Sequence, residues 1–187
     1  GIFMASRNGQ SFRRWDEAFL RPGPEAAGHW IYGDNYQAYG LWETKSNIEG
    51  APNDISMHFS EHAWLNDLHR QRRYTIRLDG FVSLYAPLDG GELITKPIVF
   101  TGQQLHVNYS TSAAGSLYVE LQDLDGQPLS GFTQQDSLEH YGDSTEQVIR
   151  WKSGPNVSTL TGKPIRIRFI LKDGDLYSYQ FGTTDVR

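Results

Sequence analysis

The chain contains no cysteine. That absence excludes disulfide staples, cysteine zinc sites and cysteine nucleophiles together. It does not fix the compartment, because a fold of this size is stable without disulfides; a secreted or periplasmic setting stays open. Long apolar runs are missing too, and none approaches the roughly 18 residues that a membrane helix needs. Basic residues are outnumbered, with 17 Lys and Arg against 22 Asp and Glu and a formal charge of −5. Scattered Arg in an acidic protein offers no continuous stripe for phosphates, so nucleic acid is not an expected partner, and neither is a membrane. No glycine-rich phosphate loop and no nucleophile elbow occurs, because the glycines sit in turn contexts. No cofactor is expected.

Helical periodicity is scarce as well. Short runs of alternating apolar and polar residues, bounded by Gly, Asn, Asp and Pro, recur instead. Ile2–Ser6 and Phe12–Trp15 flank Asn8-Gly9, a pair that tolerates the positive φ of a hairpin turn. Ile55–Phe59 and Tyr74–Leu78 alternate, and the segment Trp64–Gln71 between them reads as a polar loop or one helical turn. From Asp79-Gly80 onward the rhythm is regular. Strands are expected at Phe81–Tyr85, Glu92–Thr95, Ile98–Phe100, Leu105–Tyr109, Leu117–Leu121, Gln147–Trp151, Ile165–Leu171 and Leu176–Phe181. Turns are expected at Asp89-Gly90-Gly91, Asp125-Gly126 and Asp173-Gly174. Ile165, Ile167, Phe169 and Leu171 share one face of their strand, while Arg166, Arg168 and Ile170 share the other. That is the pattern of a sheet with one face on a core and one mostly in water. The expected class is all-β, with an antiparallel jelly-roll-like sandwich over residues 73–187. Residues 1–72 are richer in Trp and His, and their loops are longer.

Aromatic residues make up 13% of the chain, and their densest group is Trp30, Tyr32, Asp34, Tyr36, Tyr39 and Trp42. Sugars present apolar C–H faces that stack on such rings, while Asp or Asn accepts hydroxyl hydrogen bonds. The same rings equally suit a core, and the sequence leaves both readings open. His58 and His62 match an inverted zinc-peptidase pattern, but that geometry needs a helix. On the strand predicted here, four residues span about 13 Å, too far for two ligands of one zinc ion, so no metal site is expected. Asp123, Asp125, Asp173 and Asp175 flank turn glycines and read as turn formers.

Ala5-Ser6-Arg7-Asn8-Gly9, followed by Phe12 and Trp15, resembles a hairpin of the β-propeller glycoside hydrolases related to invertase, levanase and arabinanase. Tyr32–Thr44 looks like a late blade of such proteins. Arg72–Ser83, Gly91-Glu92-Leu93, Thr95-Lys96-Pro97, Asp123–Pro128, Leu160–Pro164 and Asp175–Ser178 resemble their appended C-terminal sandwich. The resemblance implies partial propeller blades over residues 1–72 and an accessory sandwich over residues 73–187. It also implies an upstream propeller in a longer protein, in keeping with the internal Met4. About 70 residues cannot close a five-bladed ring, which takes roughly 250–300. The expectation is a non-catalytic, carbohydrate-associated module whose bare strand edges favour a homo-oligomer. A clan-like Trp-Glu context marks Glu43 as the candidate catalytic acid. A glycosidase needs two carboxylates, and the rival reading of an enzyme within this chain pairs Glu43 with Asp34. The second rival is a purely structural or oligomerisation domain.

Overall fold

The computed structural model describes residues 1–21, 34–63 and 69–183. Among them every regular element longer than one turn is a β-strand, and every strand pairing is antiparallel. The all-β class follows directly from the alternation in the sequence. The chain divides into two compact units, Gly1–Phe81 and Val82–Arg187.

In the first unit, β1 (Ile2–Ala5) pairs with β2 (Arg13–Ala18) as a hairpin. The loop between them is longer than a two-residue turn. Side chains hold it: Ser6 Oγ accepts the N–H of Gly9 at 2.9 Å, and Asn8 Oδ1 accepts those of Gln10 and Ser11 at 3.0 and 2.9 Å. Asn8 therefore serves as a cap for the loop, and Gly9 takes the positive φ of 70°. Phe3 stacks on Phe81 at 5.2 Å and touches Trp15 and Phe19.

A three-stranded sheet completes the described part of this unit, in the order β3 (Trp42–Thr44), β4 (Asp54–Glu61), β5 (Arg70–Arg77). Ile55, Met57, Phe59 and Glu61 alternate onto one face, where Met57 and Phe59 are buried. Of the expected loop or helical turn at Trp64–Gln71, residues 64–68 lie outside the described residues, and Arg70 and Gln71 already belong to β5. This strand also runs through residues 72 and 73, where the sequence placed the boundary between its two regions.

The second unit holds a five-stranded sheet. Its strands are β6 (Leu84–Ala86), β7 (Gly91–Ile94), β8 (Gln104–Gln122), β9 (Asp143–Val148) and β10 (Arg166–Gly182). The order is β6-β10-β8-β9, with β7 on the same edge of β10 as β6, and the sheet is curled like half a barrel. Ile167, Phe169 and Leu171 are buried as their period predicts, along with Leu105, Val107, Tyr109, Leu117, Val119 and Leu121 of β8.

Three local expectations need correction. The segment Phe81–Tyr85 is not a strand throughout: residues 78–81 turn, with Asp79 at φ 56°, and β6 opens only at Leu84. Ile98–Phe100 contributes one isolated bridge, Ile98 to Ile165. Asp173-Gly174 does not end a strand. It is an irregularity inside β10, where Lys172 faces Ser116 and Gly174 faces Thr111, so that residues 112–115 of β8 bow out. A bulge of this kind bends the paired strands and increases their twist. A side chain at Gly174 would place its Cβ 2.5 Å from the Ser110 carbonyl oxygen, which is why the position is glycine.

Where β9 no longer covers β8, irregular chain does so. Leu117 exchanges backbone hydrogen bonds with His140, and Leu121 N–H donates to Phe132 O. At Val119 two side chains complete the pairing: its N–H donates to Ser137 Oγ at 3.0 Å, and its carbonyl accepts Trp151 Nε1–H at 2.9 Å. Trp151 is 1% exposed and meets Phe132 edge-on. Sequence alternation marks it as the end of a strand, but β9 stops at Val148 and Trp151 enters the core from the loop beyond.

Candidate functional site

The candidate site is one face of the β3-β4-β5 sheet. Strand register determines its membership. Trp42 lies opposite Ser56 and Thr44 opposite Asp54, while His58 lies opposite Arg73 and Ser56 opposite Thr75. The segment before β3 extends the same edge of β4. Gln37 bridges Phe59, Ser60 N–H donates to Tyr36 O at 3.0 Å, and Ala38 N–H donates to His58 O at 2.8 Å. Residues that face each other across a sheet share a side. Tyr36, Trp42, Thr44, Ser56, His58 and Arg73 therefore lie on one side, and Glu43, Met57, Phe59 and Tyr74 on the other.

The rings on the first side are open to solvent. Trp42 is 47% exposed, Tyr36 54% and Tyr39, on the turn between them, 100%. The indole of Trp42 is nevertheless held in place. Its edge meets the His58 ring at 5.7 Å. Its benzo ring lies against Gly40, where an added Cβ would sit 2.4 Å away. Gly40 adopts φ 109°, so both its conformation and its lack of a side chain are used.

On the same side, the guanidinium of Arg73 is fixed by neutral groups. Nε donates to Ser56 Oγ at 2.8 Å, Nη2 to Thr44 Oγ1 at 3.0 Å and to Lys45 O at 3.3 Å, and Nη1 to Asn47 Oδ1 at 3.3 Å. Arg73 missed the sequence reading altogether. The Arg-Arg pair at 72 and 73 has no motif, and only the register separates the two onto opposite faces.

The opposite face carries a different cluster. Glu61, 2% exposed, accepts Tyr74 O–H at 2.6 Å and Arg70 Nε–H at 2.7 Å, and forms an ion pair with Arg72 at 3.0 Å. Burial alone would raise the Glu61 carboxyl. The hydrogen bonds from Tyr74 and Arg70, with the charges of Arg72 and Arg70, outweigh it and hold the group below the ordinary carboxylate value. Burial and the same bond push Tyr74 up to about 12. In the second unit, Arg168 clamps Glu92 through two bonds of 2.8 and 2.9 Å and reaches the buried Glu120 at 3.2 Å. These paired charges are already satisfied within the fold.

The candidates from sequence are distributed as follows. Tyr36 and Trp42 come together on the open face. Trp30 and Tyr32 lie outside the described residues. Glu43 is on the reverse side and accepts Asn53 Nδ2–H at 2.8 Å. Asp34 Oδ1 accepts the Ala63 N–H at 2.6 Å, tying the turn before Tyr36 to the end of β4. Strand alternation sets Glu43 apart from Trp42 and Tyr36. Of the turn aspartates, Asp123 Oδ1 accepts the N–H groups of Asp125 and Gln127, and Asp175 accepts Ser83 O–H. His58 stands on a strand, as the alternation around it predicts, and His62 follows at a positive φ of 58°.

A concavity lies within the second unit, a cleft of about 380 Å³ bordered by Leu84, Leu93, Leu176, Tyr177 and Tyr179. Among the described residues its lining includes no charged side chain. No helix among the described residues is long and apolar enough to cross a membrane. Comparison with family models, curated proteins and solved structures found no match to the chain.

Proposed function

We propose that the chain is a non-catalytic, carbohydrate-associated module, and that the Tyr36–Trp42 face of the first sheet is its sugar-contacting surface. The observation that carries this reading is the exposure of ordered aromatic rings on a polar sheet face. A core ring is covered, whereas Trp42 is seated on Gly40 and His58 and still open to solvent. The polar neighbours Thr44 and His58, with Arg73, supply hydrogen-bonding groups around a stacking platform, the combination that recognises a sugar's two kinds of surface. The resemblance to propeller glycoside hydrolases supports the same assignment. It adds the finer reading of partial propeller blades followed by a jelly-roll-like accessory domain, appended to a longer protein.

Catalysis by Glu43 and Asp34 has less support. Each carboxylate is engaged in holding its own loop, and Glu43 faces away from the platform. Self-association through strand edges remains part of the proposal, since β5 is the last strand of its sheet among the described residues. Analytical ultracentrifugation tests it, and a monodisperse monomer would remove it.

The test of the module itself is a glycan array followed by calorimetry on Trp42→Ala and Tyr36→Ala. Stacking loss should weaken binding about tenfold or more in Trp42→Ala while unfolding stays cooperative. Equal binding by wild type and Trp42→Ala would refute this surface. Turnover of aryl glycosides that disappears in Glu43→Gln would establish the enzyme instead.

A further inference from the structure

We infer that the glycan this face takes is anionic, carrying a carboxylate or a sulfate that sits at Arg73. The inference rests on the carbohydrate reading above and names its ligand class. Arg70 and Arg72 on the reverse side share an ion pair with Glu61, and Arg168 pairs with Glu92 and Glu120. Arg73 is different. All of its hydrogen bonds go to neutral oxygens, and among the described residues no carboxylate lies within ion-pair distance of it. A guanidinium has five N–H donors. Four of those on Arg73 are used, so its plane is fixed, and one Nη1–H is left, on a group whose delocalised positive charge has no ion-pair partner among the described residues.

That charge lies on the same side of the sheet as the stacking ring. Arg73 binds the hydroxyls of Ser56 and Thr44. Ser56 lies opposite Trp42, and Thr44 is two residues further along the same strand and face, about 7 Å from Trp42 by strand rise. An oligosaccharide running from the indole along β3 would bring a ring substituent to the guanidinium. The His58 ring, packed against Trp42 and across the register from Arg73, borders the same space. Asp54, a carboxylate on this side, lies between Thr44 and Arg77 in the register and makes no ion pair with Arg73. Neutral hydrogen-bonding groups alone would serve an uncharged glycan. A rigid, unneutralised arginine is matched by an anion, with which its bond is charge-assisted.

The experiment uses the whole chain and matched ligand pairs: oligogalacturonate against its methyl ester, and a sulfated against an unsulfated dextran oligomer. Calorimetry at low and high salt is run on wild type, Arg73→Gln, Arg73→Lys and Trp42→Ala. At least one charged ligand should bind about tenfold or more tightly than its neutral partner, and the advantage should shrink at high salt. Arg73→Gln should weaken that charged ligand roughly tenfold to a hundredfold and a neutral one less, so that the charged-over-neutral ratio falls, whereas Arg73→Lys should keep part of the preference. Which pair responds tells carboxylate from sulfate. If neutral and charged partners bind wild type equally, the anionic assignment falls while the sugar platform stands. If no glycan binds, both fall. The wild-type ratio decides the matter even if Arg73→Gln does not fold.

Discussion

Gly40→Ala removes no aromatic ring and no polar group, yet it should disable the platform. The added Cβ would lie 2.4 and 2.5 Å from two carbons of the Trp42 indole. Carbon atoms in good contact are about 3.5–4.0 Å apart, so the indole must retreat by roughly 1 Å or more. That retreat disturbs the edge contact with His58, worth about 0.5–1.5 kcal/mol for an aromatic pair. Backbone strain adds to it, because φ is 109° and a non-glycine residue held there costs about 1–3 kcal/mol. The expected loss of stability is therefore about 2–4 kcal/mol, together with a displaced stacking surface. Gly50→Ala separates the two causes. Gly50 also has a positive φ, 76°, but open space where its Cβ would be, so it should lose about 1 kcal/mol by strain alone and keep ligand binding. Urea unfolding gives the stabilities, and calorimetry with the charged oligosaccharides gives the affinities. If Gly40→Ala binds as wild type does, the indole is not held against this backbone and the account of the platform is wrong.

Two further outcomes concern the second unit. Trp151→Phe should cost about 2–4 kcal/mol in urea unfolding, from a cavity of roughly 40 Å³ and a buried Val119 carbonyl left without its donor; a loss below about 1 kcal/mol would mean that the carbonyl has another partner. His140 is held below the ordinary histidine value by burial, and its Nε2 accepts the Arg150 N–H at 3.3 Å. Its contribution to stability is complete above the unfolded value near 6.5 and is lost as pH falls, because the unfolded chain takes the proton first, with a slope of at most about 1.4 kcal/mol per pH unit. Urea midpoints at neutral and mildly acid pH should converge in His140→Gln, and an unchanged pH dependence would contradict this.

What the sequence made legible was set by short-range alternation. The buried face of β10, with Ile167, Phe169 and Leu171, is readable because a period of two needs no knowledge of partners. Asp173-Gly174 was misread because the same residues suit a turn or a bulge, and pairing with Ser116 and Thr111, far away in sequence, decides between them. The candidate face was half visible. Tyr36 and Trp42 stand out by composition, but their exposure depends on β4 pairing with two separate segments on one edge. Arg73 could not be found at all, because its sheet side relative to Trp42 follows only from Trp42 opposing Ser56 and Ser56 opposing Thr75. Glu43, attractive as a neighbour of Trp42 in sequence, is removed from it by the same alternation.

The most direct test of the proposed carbohydrate-contacting face is a two-dimensional NMR titration of the labelled chain with the charged oligosaccharides. Shifts should move at Tyr36, Trp42, His58 and Arg73, while the indole N–H of Trp151, buried and bonded to Val119 O, stays still. Perturbations confined to Val82–Arg187, around Leu84, Leu93 and Leu176 for example, or no perturbation at all, would contradict the assignment.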